Sequence, residues 1–102
     1  MNQTHESYYA VIFTSNLSKA TEGYEEMASE MERLASEQPG YLGFESARSG
    51  LGISISYWKS LKDIENWKNH VEHIKAQELG RSKWYESYKV RICKIDREYS
   101  FN

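Results

Sequence analysis

The sequence predicts an α+β protein of the ferredoxin-like class, with the element order β-α-β-β-α-β and an antiparallel sheet. Four segments are rich in aromatic and β-branched residues, as strands are, and two carry apolar residues at the three- and four-residue spacing of helices. The two kinds of segment follow one another in the order that this fold requires. A length of 102 residues suits one domain, and we expect residues 1–102 to form it.

The first half of the chain predicts one strand and one helix. Strand 1 is expected over Tyr8 to Thr14, after a polar start from Met1 to Glu6 that we expect to be frayed. A loop follows in which Ser18 or Thr21 can cap a helix. The apolar face of this first helix is formed by Tyr24, Met27, Met31, Leu34 and Ala35. We expect the helix to end at Gln38-Pro39-Gly40.

A hairpin is predicted in the middle of the chain. Strand 2 is expected over Tyr41 to Ala47 and strand 3 over Gly52 to Trp58, joined by the glycine-containing turn Arg48-Ser49-Gly50. On strand 3, apolar residues alternate with serines, so the strand has one apolar face and one small, polar face. In this fold both helices cover one sheet face. The other face then needs a partner, and we expect a C2 homodimer.

The last helix and strand complete the pattern. Ser60 is a predicted N-cap, and Gly80 is the predicted end of the helix. The apolar face of this second helix is formed by Leu61, Ile64, Trp67, Val71 and Ile74. Strand 4 is expected over Trp84 to Asp96, with Tyr88, Val90 and Ile92 facing inward.

Composition excludes several function classes. The net charge of −2 offers no basic field for nucleic acid, and no apolar stretch approaches the roughly 20 residues of a membrane span. The one cysteine, Cys93, excludes an internal disulfide, and the first residues lack the pattern of a signal peptide. We therefore expect a cytoplasmic protein with neither nucleic acid nor membrane as a partner.

The second helix carries the candidate chemistry. Asn66, His70, His73 and Gln77 form a polar stripe beside its apolar face, with His70 nearest the apolar edge. A histidine at that boundary can serve as a general base or ligand, or it can simply hydrogen-bond at the rim. Trp67 offers a flat surface to a planar ligand, or packs in the core.

Further binding candidates lie outside that stripe. Arg81 can neutralise an enolate, phenolate or propionate, or it is a solvated charge at the helix end. Tyr57 and Tyr88 can line the same cavity, as can Trp84, or they pack structurally. His70 and His73 give two metal ligands at best, fewer than a zinc or iron site needs, so no metal is expected.

Short motifs across nearly the whole chain resemble one known family. They are Pro39-Gly40-Tyr41, Tyr57-Trp58-x-Ser60, Ile64-x-x-Trp67-x-x-His70, His73, Ala76-Gln77, Gly80-Arg81 and Trp84-Tyr85. With the element order, they are similar to the antibiotic biosynthesis monooxygenase (ABM) family, and most of all to its small bacterial, HmoA-like branch of haem-degrading monooxygenases. The resemblance runs from about Tyr8 to Ile95.

The resemblance implies a dimeric α+β barrel with a pocket in each subunit between the sheet and the second helical region. Some members oxygenate polyphenols with dioxygen and use neither metal nor flavin, whereas others bind haem and cleave it. The staphylococcal haem degraders use an Asn on strand 1, a Trp in the second helix and a His ten residues later. Trp67 matches that Trp, but Gln77 replaces the His and Asn16 lies beyond the predicted strand 1.

Three functions follow as hypotheses. The first is an ABM-type monooxygenase acting on a planar aromatic or polyphenolic substrate without a cofactor, with His70 as base or hydrogen-bond partner, Trp67 as stacking wall, and Asn66 and Arg81 holding negative charge. The second is a haem-degrading monooxygenase whose substrate is held by His70 or His73. The third is a dimeric protein that binds a small aromatic or tetrapyrrole ligand without turnover.

Overall fold

The computed structural model of the protein describes residues 7–75 and 84–101 and confirms the ferredoxin-like class. The elements are β1 (Tyr8–Leu17), α1 (Tyr24–Ser36), β2 (Tyr41–Ser49), β3 (Leu51–Trp58), α2 (Leu61–Lys75) and β4 (Tyr85–Ile95). The sheet has the order β2-β3-β1-β4, and each neighbouring pair is antiparallel. Within the described ranges, no helix is long and apolar enough to cross a membrane. The expected frayed start lies outside them.

The first strand is longer than predicted. Ser15 and Asn16 continue the pairing with β4, opposite Tyr88 and Ser87, and the register shifts only between Asn16 and Leu17. The prediction that Asn16 lies beyond the strand was therefore wrong. The strand was predicted to end at Thr14 because the next residues are polar. Backbone hydrogen bonds to the neighbouring strands nevertheless extend β1 through these polar residues.

The two helices begin in different ways. Gly23 precedes α1 without any side-chain cap, so neither Ser18 nor Thr21 caps it as predicted, and the Ser18 Oγ accepts the Ala20 N–H at 3.1 Å instead. The predicted cap of α2 is confirmed, because the Ser60 Oγ accepts the Asp63 N–H at 3.1 Å.

The predicted apolar face of α2 is correct at its centre and wrong at its start. Ile64 is buried, whereas Leu61, the first residue of α2 and only three residues after the end of β3, is 55% exposed. The predicted end of this helix at Gly80 lies outside the described residues.

Strand pairing defines which sheet face the helices cover. Tyr9 and Val11 of β1 lie opposite Trp58 and Ser56 of β3 and so share one face with them. The core lies on this face, which we call the covered face. Its buried centre is Ala35 of α1, Trp58 of β3 and Ile64 of α2, surrounded by Tyr9, Val11, Tyr41 and Trp67.

The opposite side of the sheet, which we call the open face, carries the apolar residues of β3. Ile53, Ile55 and Tyr57 alternate with the residues under the helices, and Ile53 and Leu51 are 40% and 47% exposed. The small residues Gly52, Ser54 and Ser56 lie on the covered side. That arrangement leaves room above β3 for the large side chains that pack down from the helices.

Candidate functional site

Three aromatic rings stacked on the covered face form the candidate site. Trp67 of α2 lies over Trp58 of β3, with ring centroids 5.9 Å apart and planes inclined by 25°. His70 follows one helical turn later, 5.8 Å from Trp67 at an angle of 34°. The three rings lead from the buried core to the surface, because Trp58 is 0% exposed, Trp67 is half-buried and His70 is exposed.

Trp58 is held in place by its own strand and by β2. Its Nε1–H donates to the Ser56 Oγ at 2.8 Å, and Tyr41 meets its ring edge-to-face at 5.7 Å. Ser56 lies two residues earlier, on the same face of β3, and is itself buried. Trp67 therefore packs on a fixed surface rather than on a side chain free to turn. Sequence reasoning missed this role of Ser56, although its spacing from Trp58 was visible.

The polar stripe on α2 is described only in part. Asn66 and His70 are both exposed, as a flank of the apolar helix face requires. His73 lies in α2, but its side chain is outside the described part of the chain, as are Gln77 and Arg81 altogether.

The covered face continues past β1 onto β4 and remains partly uncovered there. Val90 and Ile92 lie opposite Phe13 and Val11, on the same face as Trp58, yet they are 48% and 51% exposed. Their predicted inward direction is correct, but they are not buried. We call Val90 and Ile92 the exposed apolar strip. Because β4 lies two strand spacings, about 10 Å, from β3, a planar aromatic ligand resting on Trp67 is wide enough to reach this strip.

Tyr88 and Trp84 gather in a second aromatic group, near the start of β4. Tyr88 stacks on Phe13 at 5.2 Å, and Tyr85 meets both Phe13 and Tyr24 edge-on. The Trp84 Nε1–H donates to the Glu22 carbonyl oxygen at 2.9 Å, which ties the loop before α1 to β4. Burial raises the pKa of Tyr85, so its phenol stays neutral through the physiological range of pH.

Tyr57 lies on the open face, away from both aromatic groups. Its ring is 6.0 Å from that of Tyr8, and its hydroxyl donates to Glu45 at 2.8 Å. Burial and this carboxylate raise the pKa of Tyr57. Tyr8 in turn donates to Glu98. The structure thus separates three of the predicted site residues, Tyr57, Trp84 and Tyr88, from Trp67 and His70.

A cavity of about 410 Å³ lies under α1 rather than beside Trp67. It is lined by Tyr24 and Ser29 of α1 and by Phe44, Ser46 and Arg48 of β2. Sequence reasoning treated Arg48 only as a turn residue. Its place on the covered face follows from the pairing of Arg48 with Gly52, which a single strand's pattern does not reveal. In the ranges 7–75 and 84–101, no three His, Cys, Asp or Glu side chains converge as metal ligands would.

Comparison with known proteins places the chain in one family. Residues 8–79 match the family model described as "Antibiotic biosynthesis monooxygenase". The chain is also 53% identical over 96 residues to the uncharacterized protein YqjZ of Bacillus subtilis (strain 168), an alignment that covers 92% of this chain and 84% of that protein.

Solved structures share the fold at low sequence identity. A variant of SnoaB, a cofactor-independent oxygenase from Streptomyces nogalater, aligns with a TM-score of 0.74 at 9% identity, over 89% of this chain and 95% of its own. The haem degrader MhuD from Mycobacterium tuberculosis, solved with two haems bound in its active site, aligns with a TM-score of 0.68 at 15% identity, over 90% and 99%. Together with the family match, these likenesses confirm the resemblance read from the sequence motifs, and the chain belongs to the antibiotic biosynthesis monooxygenase family.

Proposed function

We propose that the protein is a monooxygenase that inserts one atom of dioxygen into a planar, electron-rich aromatic substrate without metal or flavin. The observation that carries the proposal is the Trp58–Trp67–His70 stack, which brings an exposed imidazole next to a fixed aromatic surface. Family membership and the likeness to a cofactor-independent oxygenase support it.

The reaction requires one general base from the protein, because the substrate itself reduces dioxygen. A base removes a proton from an acidic C–H or O–H of the substrate, and the resulting anion passes one electron to dioxygen. The substrate radical and superoxide then combine into a peroxide anion, which takes up a proton to become a hydroperoxide. Where the attacked carbon still carries a hydrogen, loss of water leaves a carbonyl. One oxygen atom stays in the product and the other leaves as water, so no external reductant is needed.

Each proposed residue has a part in this sequence. His70 removes the proton or hydrogen-bonds to the anion, and Trp67 supports the flat substrate. Asn66, one turn before His70, and Arg81 stabilise the negative charge that develops. From the helical spacing in the sequence, we expect His73 and Gln77 to add polar groups beside His70. The half-exposed Val90 and Ile92 on β4 offer an apolar surface for the rest of the ring system. Tyr88 and Trp84 belong to the second aromatic group and have no assigned part in this reaction.

Oxygen uptake with 1,8-dihydroxyanthrone tests the proposal, because this planar phenol has an acidic C–H and becomes a quinone by the sequence above. Wild-type protein with a metal chelator should consume oxygen faster than the protein-free blank. His70→Ala should lower kcat by about 10²-fold or more, as loss of a general base does. Asn69→Ala, a change at a neighbouring exposed position of α2, is the control and should retain full activity. Binding without turnover would instead support the non-catalytic ligand binder.

Haem is the second candidate substrate, favoured by the exposed apolar strip on β4. A flat tetrapyrrole needs a larger apolar surface than a three-ring phenol, and the likeness to MhuD supports the same candidate. Titration with haem should give a saturable Soret shift that weakens in His70→Ala or His73→Ala. Reductant in air, with catalase present, should then bleach the band. A titration without saturation would exclude this candidate.

We further propose that the protein is a cytoplasmic homodimer that pairs through the open face. That face exposes Leu51 and Ile53, and Tyr8 and Tyr57 also lie on it. Two such sheets packed face to face would bury these side chains and close a barrel. Cys93 is a free, half-buried thiol on the same face, as a reducing compartment allows. Sedimentation that shows a monomer at micromolar concentration would contradict the dimer.

A further inference from the structure

One arginine crosses the covered face from β2 to β1. The Arg48 Nη1 donates to the Ser15 carbonyl oxygen at 3.1 Å and to the Gly50 carbonyl oxygen at 3.3 Å. Its Nη2 donates to the Ser15 Oγ at 2.8 Å and to the Tyr24 hydroxyl at 3.4 Å. The guanidinium is therefore fixed by four bonds to neutral oxygens, and none of them uses the Nε–H.

The middle strand is shaped to let this arginine pass. The guanidinium lies directly over Gly52 of β3, where a Cβ would overlap it. On its other side is Tyr24 of α1, whose ring centroid is 5.8 Å from the Arg48 Cζ. A glycine beneath and an aromatic ring above hold a planar cation in one orientation.

The charge of this arginine is not neutralised by a carboxylate among the described residues. The ion pairs described there join Arg33 to Glu30 of α1 and to Glu37 just after it, and lysines to glutamates on α2. Serine and backbone oxygens satisfy N–H groups but leave the full positive charge. That charge reaches Tyr85, where it opposes the rise in the pKa of the phenol.

Beside this cation lies the cavity of about 410 Å³ under α1. Tyr24 and Phe44 give it aromatic walls, and Ser46 and Ser54 add hydroxyl groups. The volume lies at the lower end of the roughly 300–1,000 Å³ of small-molecule pockets. The cavity is separate from the Trp67 site, because its lining includes neither Trp58 nor any residue of α2.

We propose that this cavity is a second binding site, which takes a small planar aromatic monocarboxylate with its carboxylate on Arg48. The guanidinium supplies charge and the Nε–H, and the ring of the ligand lies between Tyr24 and Phe44. Glu25 and Glu32 of α1 also line the cavity. Their carboxylates disfavour a multiply charged anion such as phosphate, so the site selects a single negative charge on an apolar body.

Binding of 2-naphthoate to the full-length protein tests the site, with amide chemical shifts to locate it and calorimetry to measure affinity. Saturable shifts are expected around Ser46, Arg48 and Ser54. The neutral 2-naphthamide should bind about tenfold more weakly or worse, because it lacks the charge that pairs with Arg48. Inorganic phosphate should not bind.

Two variants test the site, one by removing the charge of Arg48 and the other by displacing its guanidinium. Arg48→Gln removes the charge. Gly52→Ala keeps the charge but places a Cβ where the guanidinium lies, so Arg48 has to leave its bonded position, and no residue is placed in a left-handed conformation. Both should weaken 2-naphthoate binding about tenfold. Arg97→Gln, which removes an exposed arginine from the C-terminal segment, is the matched control and should bind as wild type does.

Several outcomes would overturn the assignment. Shifts confined to residues around Trp67, wild-type affinity in Arg48→Gln, equal binding of the amide, or saturable phosphate binding would each do so. Thermal unfolding of every variant excludes misfolding as the cause of lost binding, and Gly52→Ala keeps the test open if Arg48→Gln does not fold. None of these residues belongs to the Trp67–His70 site, so failure here leaves the proposed oxygenase untouched.

Discussion

Removal of the Ser56 hydroxyl should destabilise the protein out of proportion to the size of the change. In Ser56→Ala the Nε1–H of Trp58 loses its acceptor at 2.8 Å, and Trp58 is 0% exposed, so water cannot replace it. A buried donor left without a partner costs about 1–3 kcal/mol. For a domain of this size, each kcal/mol corresponds to about 4–8 °C in Tm.

Urea unfolding followed by tryptophan fluorescence measures this loss, and near-ultraviolet circular dichroism shows whether the stacked indoles stay ordered. Ser54→Ala is the matched control, because it makes the same change on the same strand and face, at a side chain that lines the cavity under α1. We expect the control to stay within about 0.5 kcal/mol of wild type. Ser56→Ala should also weaken the near-ultraviolet signal, since Trp67 packs on Trp58.

Equal losses in the two variants would refute the reasoning, because they would show that the hydroxyl acts only through general packing of β3. A Ser56→Ala protein within 0.5 kcal/mol of wild type would refute it as well. Either result would also remove the argument that Trp67 packs on a fixed surface.

Two further predictions concern a glycine and a tyrosine. Gly40 has φ 85° and a Cβ added there would overlap Asp63, whereas Gly50 has φ 83° with open space around it. Gly40→Ala should therefore lower the free energy of unfolding by more than the roughly 1–3 kcal/mol of backbone strain expected for Gly50→Ala. Equal urea midpoints for the two variants would contradict this. The hydrogen bond to Glu98 raises the pKa of Tyr8 from 10.0 to about 12, so the stabilisation is complete below pH 10 and is lost as the pH rises toward 12. Tyr8→Phe should flatten the alkaline fall in urea stability, and an unchanged fall would show that other groups cause it.

Sequence patterns predicted the local structure well, because the forces that set it act over a few residues. Ser60 caps α2 by accepting an N–H three residues away, and the burial of Ile64 follows from the spacing of apolar residues along its own helix. Trp67 and His70 lie one turn apart, so their contact also followed from helical spacing. The predicted cap of α1 was wrong because the residue before the helix is Gly23, which has no side chain that could cap it.

Features that depend on pairing between strands could not be predicted in this way. The alternation of residues on β3 predicted two faces but not which of them the helices cover. Tyr57 was therefore grouped with Trp67 and His70, although it lies on the opposite face of the sheet. Arg48 reaches Ser15 only because β3 lies between their strands and carries a glycine at the crossing point. The half-exposed Val90 and Ile92 reflect how far the helices extend over β4, which no strand pattern encodes.

The most direct test of the central claim is isotope incorporation under ¹⁸O₂ with 1,8-dihydroxyanthrone, in the presence of a metal chelator. The account predicts a quinone that carries one labelled oxygen per molecule, formed faster than in the protein-free blank and about 10²-fold more slowly by His70→Ala. Labelled product formed no faster than in the blank, or equally fast by wild type and His70→Ala, would contradict oxygenation at the Trp67–His70 site.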